Sequence, residues 1–263
     1  MRLPFAQIDA FADRPFGGNP AAVMPLDVWL PDDTLQAIAA ENNLSETAFT
    51  VPADGQAADY ELRWFTPTSE VAMCGHATLA SGHHLIGRRE RVRFTTRKAG
   101  VLEVRRDGAG YLLDLPATRM VPAELPEIAE AIGAPGARTW TSETEAAEGT
   151  VILLLDSEAA VRYLRPDFRA LARHHVMAVP TAPGETADVV SRVFVPAFGI
   201  DEDPVTGSAH AALAPFWAER LGRTRFTAFQ ASARGGHLSC TLAGDRAVLG
   251  GSCVTVIEGS FLL

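Results

Sequence analysis

The chain has 263 residues, of which 47% are hydrophobic and 21% are charged, and its formal net charge is −9. This composition supports one large or two small well-packed domains and excludes global disorder. The acidic balance argues against nucleic acid or an anionic membrane surface as a partner. It leaves a small anionic ligand open, because local N–H donors can outweigh the net charge.

The N-terminal segment and the cysteines indicate the cellular setting. No signal-peptide core or apolar run of bilayer length is present in this sequence. The three cysteines Cys74, Cys240 and Cys253 are odd in number and widely spaced, which is more typical of a reduced protein than of a disulfide framework. We therefore expect a cytoplasmic protein.

The first half of the chain alternates strand patterns with two helix patterns. Residues 14–20 contain Gly-Gly-Asn-Pro and predict a turn between the first two strands. Apolar periodicity predicts helices over residues 32–42 and 76–86. The predicted strands cover residues 5–11, 21–24, 46–51, 60–65, 91–96, 100–105 and 111–115.

After a proline-punctuated linker at residues 116–126, the order of elements partly repeats. The predicted helices are 127–132, 166–174 and 208–221. The predicted strands lie near Thr139 and at 151–155, 176–179, 189–195, 237–242, 246–249 and 253–258. Strands that alternate with single helices in both halves predict an α+β fold with two similar lobes. The pattern alone leaves open whether the halves arose by duplication.

Two short segments, CGHA at residues 74–77 and TGSA at residues 206–209, share one pattern. In each, an extended stretch is followed by a glycine and the first turn of an alanine-rich helix. The glycine permits close approach of a bound group, and the N–H groups of the first turn are anion donors. Two such segments about one domain apart suggest two halves that face one small anionic ligand.

Glu46 is a candidate acid–base residue. An isolated glutamate at a strand start is most simply a solvated charge. The stretch from Leu44 to Val51 is otherwise small or apolar, however, so a carboxylate within it would lose hydration and its pKa would rise. Both interpretations stay open on spacing alone.

His76, Asp203 and Ser208 are further candidates, each with a purely structural alternative. His76 begins a helix, where the positive dipole end favours the neutral imidazole, although a bond to the backbone would explain it equally well. Asp203 precedes Pro204 and is therefore biased towards an extended conformation, but it also belongs to an acidic loop. Ser208 is a natural N-cap whose hydroxyl could also line a site.

Cys74 is either a nucleophile or proton carrier, with a pKa lowered by the helix start, or a half-buried structural residue. A two-thiol racemase needs a second thiol at the matching place, where the other half has Asp203, Pro204 and Val205. That mechanism is disfavoured. The histidines lack ligand-like spacing to cysteines or carboxylates, so no metal site is predicted.

Motifs spread over the whole chain resemble the PhzF-like isomerases of phenazine biosynthesis. They are FADRPFGGNPAAV at 11–23, NLSETAF at 43–49, RWFTP at 63–67, CGHAT at 74–78, EDPVTGSA at 202–209 and GGSCVTVIEG at 250–259. The resemblance implies a diaminopimelate epimerase-like fold, in which each of two pseudo-symmetric lobes curls a sheet around a central helix, with the active site between them. The implied lobes are 1–117 with a returning strand at 251–263, and 118–250.

The same resemblance implies a cofactor-independent isomerase, usually homodimeric, that acts on a small ring-bearing carboxylate of the trans-2,3-dihydro-3-hydroxyanthranilate type. Glu46 then moves the proton, and His76 and Asp203 hold and polarise the substrate. The implied substrate-binding helix starts are Gly75, Ala77, Gly207 and Ser208. Residues 224–238 keep the family pattern poorly, which leaves the substrate open. A Cys74-assisted epimerase and a catalytically idle binding protein stay as alternatives.

Overall fold

The computed structural model describes residues 1–55, 57–143 and 149–263. In chain order the strands are β1 (Arg2–Ala10), β2 (Asn19–Pro25), β3 (Glu46–Pro52), β4 (Tyr60–Phe65), β5 (Glu70–Val71), β6 (Arg91–Thr96), β7 (Val101–Asp107), β8 (Gly110–Pro116), β9 (Met120–Ala123), β10 (Arg138–Ser142), β11 (Thr150–Leu154), β12 (Met177–Pro183), β13 (Val189–Ser191), β14 (Phe194–Val195), β15 (Ile200–Glu202), β16 (Arg225–Gln230), β17 (Gly236–Ala243), β18 (Arg246–Gly251) and β19 (Cys253–Leu262).

The α-helices are α1 (Asp32–Asn42), α2 (Gly75–Leu85), α3 (Pro126–Ile132), α4 (Glu158–Arg162), α5 (Phe168–Leu171) and α6 (Gly207–Leu221). Helix α1 shows why its bounds were predictable. Two aspartates in its first turn complement the helix dipole, and Asn43 ends it in the left-handed conformation with φ of 48°.

Across the described ranges, no helix combines the length and the apolar character that a bilayer crossing requires.

The chain forms two compact units, Met1–Leu115 with Gly250–Leu263, and Pro116–Leu249. In the first unit the strands pair in the order β19, β1, β2, β3, β4, β6, β7, β8. The β2–β3 and β4–β6 pairs are parallel and the others are antiparallel. Helix α2 contacts six of these strands, namely β1, β2, β3, β6, β7 and β19. It is therefore the central helix of a curled sheet.

The second unit repeats this topology. Its strands pair in the order β9, β10, β11, β12, β13, β16, β17, and the β11–β12 and β13–β16 pairs are parallel. From β10 to β17 the sequence of orientations equals that from β1 to β7. A long helix precedes the fifth strand of the series in each unit, α2 before β6 and α6 before β16. The predicted α+β fold with two similar halves is confirmed.

Each unit has its own apolar core. In the first, Leu35 and Ile38 of α1 pack in one cluster with residues of the sheet such as Met24 and Phe49. In the second, Ile128 and Ile132 of α3 belong to a cluster with β11 and β12 residues. The apolar face of each helix is what attaches it to its sheet.

Three predictions about the second half were wrong. The stretch 116–126, expected as a linker, contains β9, which pairs with β10. The helix expected at 166–174 is confined to α5, Phe168–Leu171, and a separate helix α4 precedes it. Each of these short helices starts at a side-chain cap, Ser157 or Asp167, which was not recognised. The strand expected at 189–195 is broken into β13 and β14.

Helix α2 packs against β7 so closely that Gly82 has no room for a side chain. A Cβ there would lie 2.6 Å from Cβ and 2.8 Å from Cγ2 of Val104. We expect Gly82→Ala to lower the free energy of unfolding by about 1–3 kcal/mol through overpacking, although alanine is the better helix former. Urea denaturation measures this. Gly259→Ala, which meets no atom within 4 Å, is the control, and equal effects of the two changes would contradict the packing argument.

Candidate active site

Glu46 is the first residue of β3 and pairs with Ala21 of the parallel strand β2. Its side chain is 16% exposed and lies against the ring of His76, with Oε2 at 3.1 Å from Nε2. The carboxylate therefore stays reachable from solvent while one oxygen meets a buried imidazole. The solvated-charge interpretation of Glu46 does not describe this arrangement.

Helix α2 starts next to this carboxylate. Cys74 is its N-cap residue, with extended φ and ψ of −142° and 112°, and Gly75 and His76 form its first turn. The helical hydrogen bonds begin where the Thr78 N–H donates to Cys74 O, and the Thr78 hydroxyl donates to the same oxygen at 2.6 Å. The N–H groups of Gly75, His76 and Ala77 thus lie outside the helical pattern, as anion donors require.

The imidazole of His76 is 4% exposed and has different neighbours at its two nitrogens. Asn19 Nδ2 lies 3.1 Å from Nδ1, and Cys74 Sγ lies 3.5 Å from the same atom. Glu46 faces Nε2. The Nδ1 edge of the ring thus contacts an amide and a thiol, and the Nε2 edge faces a carboxylate.

Glu46, Cys74 and His76 form a group that could hold a metal ion. One ligand atom from each lies within 4.8 Å of the other two. Spacing along the sequence predicted no such group, because Glu46 meets the other two only in the folded unit, where α2 contacts β3. The thiol contacts the imidazole at Nδ1 and the carboxylate lies at Nε2, on the opposite edge, so one ion at a single ring nitrogen requires side-chain movement.

In the second unit, Asp203 is buried beside the start of α6. The Thr206 hydroxyl donates to Asp203 Oδ2. Gln230 of β16 donates from Nε2 to Asp203 O at 2.7 Å and accepts the Thr206 N–H at Oε1 at 2.9 Å. This fully buried amide fixes the loop before the helix.

Ser208 is not the N-cap that its sequence suggested. Thr206 is the N-cap of α6, and Gly207 and Ser208 form the first turn. The Ser208 hydroxyl contacts Met177 Sδ at 3.8 Å. Cys74 and Thr206 are thus the equivalent positions of the two units, in place of residues 203–205 expected from the sequence, and a hydroxyl stands where a two-thiol racemase needs its second thiol.

His210 of α6 corresponds to Thr78 of α2, because each side chain bonds the carbonyl of its helix's N-cap residue. His210 Nδ1 lies 2.8 Å from Thr206 O. The side chain is fully buried, and this burial lowers the pKa of His210 to about 4, although the bond to Thr206 opposes the shift. The folded protein therefore keeps this ring neutral.

The buried His210 makes the protein less stable in acid. Its pKa is about 4 when folded and near 6.5 when unfolded, so the unfolded chain binds the extra proton between these values. Stability is complete above pH 6.5, falls as the pH drops towards 4, and loses roughly 3 kcal/mol in total. We expect His210→Gln to flatten this part of the stability profile, measured by denaturant unfolding. The exposed His175→Gln is the control, and equal slopes in all three proteins would contradict the assignment.

Two residues of these sites were missed by sequence reasoning, Asn19 and Gln230. Asn19 lies in the Gly-Gly-Asn-Pro stretch, which was interpreted only as turn chemistry. Gln230 lies in the region where the family pattern is poorly kept. Each acts on a residue far away in the chain, 57 positions for Asn19 and 27 for Gln230, so no local spacing pattern indicates the contact.

Comparison with known proteins identifies the family. A family model described as phenazine biosynthesis-like protein, PhzC-PhzF, matches residues 8–259. The chain belongs to this family. An uncharacterized isomerase of Pseudomonas aeruginosa is 47% identical over 269 residues that cover both chains completely. The family resemblance of the motifs is confirmed, and the chain is a PhzF-like isomerase.

Solved structures show the same relationship. A PhzF family protein from Enterococcus faecalis has a TM-score of 0.89 and 41% sequence identity, with 100% of both chains covered. A hydroxyproline epimerase from Agrobacterium vitis is 13% identical with a TM-score of 0.60, covering 98% of this chain and 92% of the other. The second similarity concerns the fold alone. This PhzF-like protein has the predicted diaminopimelate epimerase-like fold.

Proposed function

We propose that this PhzF-like isomerase moves a proton between two carbons of a small unsaturated or cyclic carboxylate by acid–base catalysis, with no cofactor. The observation that carries the proposal is the position of Glu46, whose partly exposed carboxylate is aligned by the buried ring of His76. A base that removes a carbon-bound proton must reach substrate and also keep a fixed orientation. Glu46 meets both requirements.

In the proposed reaction the Glu46 carboxylate takes a proton from one carbon of the substrate. The electron pair of that C–H bond forms a new double bond, the existing double bond shifts, and a second carbon takes the proton back from the Glu46 carboxyl group. Atoms and charge balance without another reagent. His76 holds the Glu46 carboxylate in place for both proton transfers, a role that the 3.1 Å separation of Nε2 and Oε2 supports.

The substrate carboxylate is proposed to bind the backbone N–H groups at the start of α2, at Gly75 and Ala77. The roles of Asp203, Gly207 and Ser208 as polar and backbone partners stay predictions, as do a homodimer and a small anionic substrate of the trans-2,3-dihydro-3-hydroxyanthranilate type. The buried hydrogen-bond network that fixes Asp203 before α6 supports the proposed role of the second unit in substrate binding.

A second candidate is an epimerase in which Cys74 exchanges the proton. The specific observation in its favour is the 3.5 Å contact of Cys74 Sγ with His76 Nδ1, since an imidazole beside a thiol promotes the thiolate. Against it, Thr206 occupies the equivalent position at α6. A one-thiol epimerase would need Glu46 or Asp203 as the second base.

Proton NMR in heavy water with a library of small unsaturated carboxylates tests the proposal. The expected result is a double bond that migrates in one class of compound, with deuterium entering at the reacting carbons. Deuterium at a stereocentre without migration, abolished in Cys74→Ser, would establish the epimerase instead. Ligand-induced thermal stabilisation without any exchange would indicate a binding protein that has lost catalysis.

A further inference from the structure

Asn19 lies in contact with the proposed catalytic pair but has no role in it so far. It is the first residue of β2, is fully buried, and pairs with Ala10 of β1. Its amide nitrogen Nδ2 lies 3.1 Å from Nδ1 of His76, on the side of the ring opposite to Glu46. The amide therefore acts on the ring and not on a substrate.

The turn before Asn19 is built to bring it to this position. Gly18 has φ of +59°, and a Cβ there would overlap Ala10 O and lie 2.9 Å from Ala12 Cβ. The N–H of Phe16, itself at φ of 70°, donates to the buried Asp9 carboxylate at 2.8 Å. The left-handed backbone of Phe16, which is costly for a residue with a side chain, the close approach at Gly18 and the Asp9 anchor together fix the start of β2.

The contact decides which ring nitrogen of His76 carries the proton. An amide NH₂ group only donates, so Nδ1 must be the acceptor, and a neutral ring then has its proton on Nε2. That nitrogen lies 3.1 Å from Glu46 Oε2, an ion-pair distance at which the two atoms face each other without the alignment of a hydrogen bond. The Cys74 thiol at 3.5 Å is a second donor to Nδ1.

The opposite arrangement satisfies neither edge of the ring. With the proton on Nδ1, the N–H would face the Asn19 NH₂ group, and the Nε2 lone pair would face the Glu46 carboxylate. Rotating the Asn19 amide by 180° would remove the mismatch at Nδ1, but the mismatch between the Nε2 lone pair and the Glu46 carboxylate would stay. With an ionised Glu46, the Nε2–H tautomer is therefore the one that matches both neighbours.

We propose that Asn19 is a positioning residue that locks His76 in the Nε2–H tautomer and thereby keeps the ring proton on the side of the imidazole that faces Glu46. The tautomer follows from the contacts alone, and its value for catalysis rests on the function proposed above. Removing a partner that orients a histidine typically costs 10- to 100-fold in activity, and we expect a loss of roughly that size in kcat with little change in KM.

Nitrogen NMR of the protein labelled with ¹⁵N in its histidine rings tests the tautomer in the unaltered chain. His76 is assigned by the signals lost in His76→Gln. At neutral pH we expect an unprotonated Nδ1 and a protonated Nε2. A protonated Nδ1 in the wild-type protein, in either the other tautomer or the imidazolium, would overturn the proposal without any substituted Asn19.

Two substitutions of Asn19 then test whether this residue sets the tautomer of His76. Asn19→Asp has the same shape but places an acceptor at Nδ1, so we expect a ring protonated on both nitrogens. Asn19→Leu has no donor at Nδ1, and we expect the ring to become a mixture of the Nδ1–H and Nε2–H tautomers. Cys74→Ser keeps the amide and should keep the wild-type nitrogen signals. An unchanged ring pattern in Asn19→Asp would overturn the assignment.

The same variants separate this proposal from the proposed function. If the ring pattern changes as expected while no carboxylate is isomerised by the wild-type protein, the isomerase proposal fails and the positioning role stands. If isomerisation is found and Asn19→Asp changes the protonation pattern of the His76 ring but not kcat, the proposal that the tautomer assists catalysis is overturned.

Discussion

Glu46→Gln is expected to slow turnover by roughly 10²–10⁴-fold, the usual contribution of a positioned acid–base group. Glutamine keeps the shape of the side chain and can still accept the His76 Nε2–H through its amide oxygen. It cannot carry a proton. We therefore expect substrate binding close to that of the wild-type protein, measured by calorimetry beside steady-state kinetics on the carboxylate identified by NMR.

The exposed glutamate Glu41 on α1 provides the matched control for this change. Glu41→Gln removes the same charge without touching the site, so its kinetics should equal those of the wild-type protein. Turnover of Glu46→Gln within a few-fold of wild type would exclude Glu46 as the proton carrier. A loss of binding that accounts for the whole defect would make it a binding residue instead.

The largest expected effect on stability concerns Arg63 of β4, which is 3% exposed. Its guanidinium donates to both oxygens of Glu70 at 2.8 Å and lies 5.1 Å and 5.0 Å from the ring centroids of Trp29 and Phe65. Glu70→Gln leaves a buried charge without its main partner. We expect a loss of about 3 kcal/mol in the free energy of unfolding, measured with urea.

The same arginine supplies the control. Asp32 also pairs with Arg63 at 2.8 Å, but its side chain is 67% exposed, so water replaces much of what Asp32→Asn removes. We expect a clearly smaller loss. Hydrogen bonds from Arg63 hold the pKa of Glu70 below its usual value, so the contribution is complete at neutral pH and disappears as acid protonates the folded carboxyl. Equal losses in the two variants would contradict the burial argument.

Much of the fold was predictable because local rules agree with tertiary packing. The bounds of α1 were predicted residue for residue, since aspartates, an apolar stripe and Asn43 mark start, face and end. Strands β4 and β6 were also predicted with their observed bounds. Helix α4 was missed and α5 was predicted too long, because a few residues carry too little periodicity and only their caps mark them.

The candidate site was predictable in its parts and not in its assembly. Glu46 and His76 stand out locally, one as a charge among apolar residues and the other at a helix start. Their contact depends on the parallel pairing of β2 with β3 and on the placement of α2 under both strands. The capping role of Ser208 was wrongly predicted, because capping preference alone did not show that Thr206 is the N-cap of α6.

Hydrogen exchange into substrate by the Glu46→Gln protein in heavy water tests the central claim most directly, since it isolates removal of the carbon-bound proton. The wild-type protein and Cys74→Ser should both introduce deuterium at the reacting carbon. With Glu46→Gln we expect exchange to fall to the rate without enzyme. Exchange that persists in Glu46→Gln and is lost in Cys74→Ser would show that the thiol, and not the carboxylate, moves the proton.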